Sequence, residues 1–99
     1  MGASDFYVRA NGKTAKEAFD RAVEHAKYES GHGGYTGTIA EKTGFVMIEI
    51  GENHNSANHV ADDVLDDDDH PVNDKWGPAG CVKVLDREDE YLFFGVASS

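Results

Sequence analysis

Residues 91–97, Tyr91-Leu92-Phe93-Phe94-Gly95-Val96-Ala97, decide how the chain can fold. A strand points successive side chains to opposite faces. Tyr91-Leu92-Phe93-Phe94 is apolar on both, which predicts a strand that is central or covered on both sides. Residues 81–86 stand before it across 87–90, so the two read as a terminal hairpin.

Working outward, residues 5–10 alternate as a strand, with Phe6 and Val8 on one face and Tyr7 and Arg9 on the other. Asn11-Gly12 turns the chain. Thr14-Ala15-Lys16-Glu17 is a capping box. Apolar residues at 15, 18, 19, 22, 23 and 26 predict an amphipathic helix. Four of these six are alanine, which lets the helix sit close to a sheet, with Phe19 and Val23 supplying bulk. His25, at the border of that face, reads as a hydrogen-bonded boundary residue. Residues 36–41 and 45–50 are expected to be two strands joined through Lys42-Thr43-Gly44, a short hairpin with Lys42 at the turn. Ala57, Val60, Ala61, Val64 and Leu65 predict a second helix running to about Asp67. Residues 70–80 read as a loop in which Trp76 plugs the edge of the core. The order is β-α-β-β-α-β-β. It predicts one α+β domain over residues 1–99, a mostly antiparallel sheet with two helices packed on one face.

Four glycines crowd the segment Gly31-His32-Gly33-Gly34-Tyr35-Thr36-Gly37-Thr38. Phosphate loops run strand, glycines, helix, so that the helix N-terminus meets the anion. Here the helix comes first, and neither GxGxxG nor GxxxxGK[ST] is present. Two readings stand. One is a helix C-cap followed by a turn. The other is a small-ligand surface for a nucleotide-like molecule, with His32, Tyr35, Thr36, Thr38 and Trp76 as its contacts.

The formal net charge is −10, and it is unevenly placed: residues 1–48 carry six basic and six acidic side chains, and residues 49–99 three and thirteen. Nucleic-acid backbones and anionic membranes are poor partners for such a chain, and a basic protein surface is a better one. Asp62, Asp63, Asp66, Asp67, Asp68 and Asp69 are the expected partner-binding residues. Asp66–Asp69 also lie at the end of the second helix that the dipole makes unfavourable for anions, so that end is expected to fray. His54, His59, His70 and the helix aspartates could be drawn as metal ligands, but they supply no closed ligand set and read as a solvated acidic face. Cys81 opens an apolar strand, which suits an inert thiol. No nucleophile motif, cofactor motif, membrane span or signal-peptide pattern is evident, and a cytoplasmic location is the expectation. Homo-oligomerisation is left open.

GHGGYTGTIAEK (31–42), DKWGPAG (74–80) and YLFFGVASS (91–99) together resemble a family of small uncharacterised proteins found in bacteriophage genomes and related bacterial loci. The family has Trp where this sequence has Val96. The resemblance implies a phage or prophage origin and brings no known reaction or catalytic residue. Small phage proteins often act on host machinery or host defence. The leading expectation is therefore a non-enzymatic acidic protein that binds, and inhibits, a host factor. A nucleotide-like ligand binder is the alternative.

Overall fold

The computed structural model describes residues 3–30, 38–50, 56–67, 69–74, 76–84 and 89–98. Four strands, β1 (Ala3–Asn11), β2 (Phe45–Met47), β3 (Ala79–Lys83) and β4 (Glu90–Ser98), form one sheet in the order β1-β4-β3-β2. The two helices are α1 (Ala15–Ser30) and α2 (Ala57–Leu65). The class is α+β, and the sheet is mostly antiparallel: β4 runs antiparallel to both β1 and β3, and only β2 and β3 are parallel.

The doubly apolar strand β4 takes an inner place, as its pattern requires. Tyr91 and Phe93 cluster with Ala18, Phe19 and Ala22 of α1, whereas Leu92 and Phe94 cluster with Ala57, Val60 and Ala61 of α2. Cys81 and Val82 divide in the same way. Adjacent strand residues point to opposite faces, so α1 and α2 lie on opposite sides of the sheet. This corrects the expectation that both helices share one face. The reason is the direction of travel. The β1-to-β2 connection carries the chain from one edge of the sheet to the other, and the β2-to-β3 connection returns it by one place. Two crossovers of the same preferred hand that move in opposite directions lie on opposite faces.

A second correction concerns residues 36–41. Residues 36 and 37 lie outside the described residues, and Ile39–Glu41 is a single 3₁₀ turn, not a strand. Thr38 caps it: its hydroxyl accepts from the Ala40 amide at 3.2 Å. The turn sends Ile39 into the core beside α1. With no strand there, the expected hairpin across residues 42–44 does not form. Phe45–Met47 pairs instead with Ala79–Cys81 in parallel, and α2 supplies the crossover that parallel strands need.

Under α1, Phe19, Phe45 and Phe93 form a ring cluster, with centroids 5.1 Å (Phe19–Phe45), 5.5 Å (Phe19–Phe93) and 5.7 Å (Phe45–Phe93) apart. The capping box holds, with the Glu17 amide donating to the Thr14 hydroxyl at 3.1 Å. On the other face, Gly80 sits beneath its cross-strand partner Phe94. A Cβ there would fall 2.5 Å from the ring.

Gly12 is equally constrained, because an added Cβ would lie 2.6 Å from the Ala18 backbone nitrogen in α1. Gly12→Ala is therefore expected to cost about 1–3 kcal/mol. Gly44→Ala, whose new Cβ meets nothing within 4 Å, should change stability by no more than about 0.5 kcal/mol. Urea midpoints of the two variants test the contrast. Equal midpoints would contradict it.

Candidate functional site

The loops at the end of α2 bring together the residues with the most informative chemistry. Ser56 begins α2 by accepting the His59 amide at 3.3 Å, and the helix stops at Leu65, two residues short of the expected end. Its last turn does not end loosely. The Asn73 side-chain amide donates to the Val64 carbonyl at 3.0 Å and to the Asp67 carbonyl. Asn73 belongs to a second 3₁₀ turn, Pro71–Asn73, which drives Val72 into the core under α2. His70 opens that turn by accepting the Val72 amide on Nδ1 at 3.2 Å.

The same loop continues to Trp76. The Asp74 carboxylate accepts the Trp76 amide at 2.9 Å, and the Gly77 amide donates to the Asp74 carbonyl at 2.8 Å. The Trp76 residue is 66% exposed. It does not plug the core edge; Val72 does, and the tight turn across residues 74–77 leaves the indole outside.

Lys42 is the residue that sequence reasoning missed. The sequence places it at a hairpin turn, yet that hairpin does not form and Lys42 is 4% exposed. Its Nζ donates to the Gly77 carbonyl at 2.9 Å and to the Asp74 carbonyl at 3.4 Å. Burial lowers its pKa below the ordinary lysine value, and the Asp74 charge opposes that shift. The bonds tie the segment 38–42 to the loop 74–77. The signal in the sequence was weak: a lysine three residues after buried Ile39, with no acidic residue in helical spacing to hold it at the surface.

The acidic residues have distinct roles. Asp62 accepts from the Tyr7 hydroxyl of β1 at 3.2 Å. Burial, then that hydrogen bond, then the neighbouring carboxylates raise the Tyr7 pKa. Asp63 faces His59 across 4.0 Å. Asp66 caps the helix, and the Asp67 carboxylate accepts the Asp69 amide at 3.1 Å. Asp62, Asp63, Asp66, Asp67 and Asp69 are exposed, and Asp68 lies outside the described residues. Of the proposed small-ligand contacts, His32, Tyr35 and Thr36 lie outside the described residues, and so does the predicted C-cap Gly31. Thr38 and Trp76 are described, and the Thr38 hydroxyl serves as the turn cap.

Among the described residues, no group of three histidine, cysteine or acidic side chains is placed to hold a metal ion. His54 lies outside them. His25 is exposed and sits 3.4 Å from Glu29. Cys81 is fully buried, and burial pushes its thiol up to about 12. Among the described residues no helix is long and apolar enough to cross a membrane.

Comparison with protein families, curated proteins and solved structures finds no match for the chain.

Two predictions follow from this geometry. Lys42→Met keeps the aliphatic bulk and removes the donor from two loop carbonyls, which should destabilise by about 1–3 kcal/mol. It should also speed proteolysis between residues 70 and 80. A variant with wild-type melting temperature and cleavage would show that the tie contributes nothing. The second concerns alkaline pH. The Cys81 thiol has an ordinary value of 9.0 and a folded value of about 12, so the folded state holds the proton more tightly. Its stabilising effect is complete below the ordinary value. It is lost as pH rises toward the folded value, by up to about 1.4 kcal/mol per pH unit. Between pH 9 and 11, wild type should lose stability faster than Cys81→Ala. Parallel curves would contradict the burial effect.

Proposed function

We propose that the chain is a protein-interaction module that docks on a basic surface of another protein, using Trp76 as an anchor and the acidic end of α2 as a charged rim. The observation that carries this reading is the display of Trp76. A large aromatic side chain lies two-thirds exposed on a loop whose backbone is fixed by Asp74, Gly77 and Lys42. An indole so largely exposed adds little to the core, and tryptophan is among the residues enriched at binding hot spots. Asn73 couples the same loop to Val64 and Asp67, so Asp66, Asp67 and Asp69 belong to one ordered loop cluster with Trp76. Opposite charge across such a rim speeds encounter and sets orientation more than it adds affinity.

The resemblance to phage proteins supports a host factor as the partner, with a factor of anti-phage defence as the favoured target of inhibition. No catalytic step is assigned to any residue.

The experiment is capture from a host lysate, followed by binding kinetics with the captured partner at low and high salt. Trp76→Ala should weaken affinity about tenfold or more, mainly through faster dissociation. Replacing Asp66, Asp67 and Asp69 by Asn should slow association about tenfold at low salt and flatten the salt dependence. Both variants should melt as wild type does. Unchanged kinetics in both would overturn the reading. A nucleotide that raises the melting temperature, with no partner captured, would favour the ligand-binding alternative.

A further inference from the structure

We propose that the outer edge of β1 is a homodimer seam, where two copies pair antiparallel in the register centred on Tyr7 and form one eight-stranded sheet. This proposal does not rest on that function.

The starting point is the edge itself. β1 stands at the end of the sheet, and among the described residues only β4 pairs with it. The pairing runs through nine consecutive residues, Ala3 to Asn11, without a bulge. An antiparallel strand directs its backbone groups alternately to its two neighbours. Among the described residues the outer side of β1 therefore presents a row of backbone donors and acceptors, interrupted at its end where Arg21 Nη1 donates to the Asn11 carbonyl at 3.1 Å. Natural edges are blunted by proline, charged side chains (lysine above all), bulges, shortness or a covering helix or loop. β1, Ala-Ser-Asp-Phe-Tyr-Val-Arg-Ala-Asn, has no proline and no lysine. The opposite edge, β2, is blunted by shortness, with only three residues.

The side chains then select the occupant and the register. Asp5 and Arg9 are the only charged residues in β1. In a two-fold antiparallel pairing centred on Tyr7, Asp5 of each copy lies opposite Arg9 of the other. The complementary pair forms twice. Centring on Asp5 or on Arg9 would instead set like charges face to face, which destabilises a cross-strand pair. Tyr7 is also the midpoint of Ala3–Asn11, so the register that matches charge is the one that sets the two strands opposite each other over their full length, with the Asn11 carbonyl at each end already held by Arg21. A strand neutral overall and self-complementary about its own centre fits a second copy of itself, within a chain whose net charge is −10.

The exposed face supports the same register: Tyr7, 45% exposed, meets its counterpart across the seam, whereas Phe6 on the other face is 6% exposed and stays in the core. Arg9 is held in place, donating from Nη1 to Glu90 at 3.2 Å and from Nη2 to Asn58 at 2.5 Å. Its guanidinium has five donors, and the side chain is about half exposed, so it can also meet the Asp5 of a second copy.

The test is sedimentation and native mass spectrometry of the full chain across the micromolar range. Wild type is expected to be dimeric. Asp5→Arg should raise the dimer Kd about tenfold or more, because two attractive pairs become two repulsive ones. Arg9→Asp should do the same. Mixing the two variants should restore a dimer made of one copy of each, since both cross-strand pairs are then opposite in charge. Circular dichroism and melting of each variant show that the monomers fold. If Arg9→Asp fails to fold through loss of its Glu90 and Asn58 contacts, Asp5→Arg mixed with wild type decides: mixed dimers carry one repulsive and one attractive pair and should form in preference to Asp5→Arg homodimers. Wild type sedimenting as a single chain, or a dimer indifferent to Asp5→Arg, overturns the proposal.

Discussion

Everything in this fold depends on β4 having two apolar faces. Phe93 cannot be covered by the helix that covers Phe94, because the pleat sends them in opposite directions. A four-stranded sheet with both faces buried needs a helix on each side. The chain meets that need with one crossover in each direction along the sheet. The small side chains of α1, Ala18 and Ala22, let that helix approach closely, and Phe19 then reaches the rings of Phe45 and Phe93. On the other side a shorter helix suffices because the Pro71–Asn73 turn adds Val72 to the same cluster.

The loops obey a different constraint, that buried backbone polar groups find partners. Lys42 answers it for the carbonyls of Asp74 and Gly77, and Asn73 for those of Val64 and Asp67. A lysine that leaves water loses solvation of its charge, and its lowered pKa records that loss. What the molecule gains is a fixed loop geometry. Residues 38–42 and the loop that holds Asp74 and Gly77, far apart in the chain, meet through Lys42 and the backbone of residues 74 and 77. The loop so fixed is the one that holds Trp76 out toward solvent.

The acidic character of the second half is local in its consequences. The aspartates after α2 oppose the helix dipole, yet carbonyls at the helix end are capped, because the Asn73 side-chain amide donates to those of Val64 and Asp67. Helix-end charge and helix-end capping are separate quantities. The first is visible in a run of four aspartates, and the second needs a residue six positions further on, brought back by a turn.

Sequence alone determined the local elements. The 3.6-residue spacing of small apolar residues set both helices, the Thr14–Glu17 box set the start of α1, and the doubly apolar run 91–94 set an inner strand. It also identified Cys81 as a buried thiol and Asp62, Asp63, Asp66, Asp67 and Asp69 as exposed. Tertiary structure decided the rest. The side of the sheet each helix takes depends on strand order, which no local period encodes. Residues 38–41 became a turn because Ile39 had a core position to fill and Thr38 could cap the backbone there. Lys42 went inside and Trp76 outside, the reverse of their ordinary preferences. That outcome came from carbonyls 32 and 35 residues away that only the assembled fold brings to Nζ.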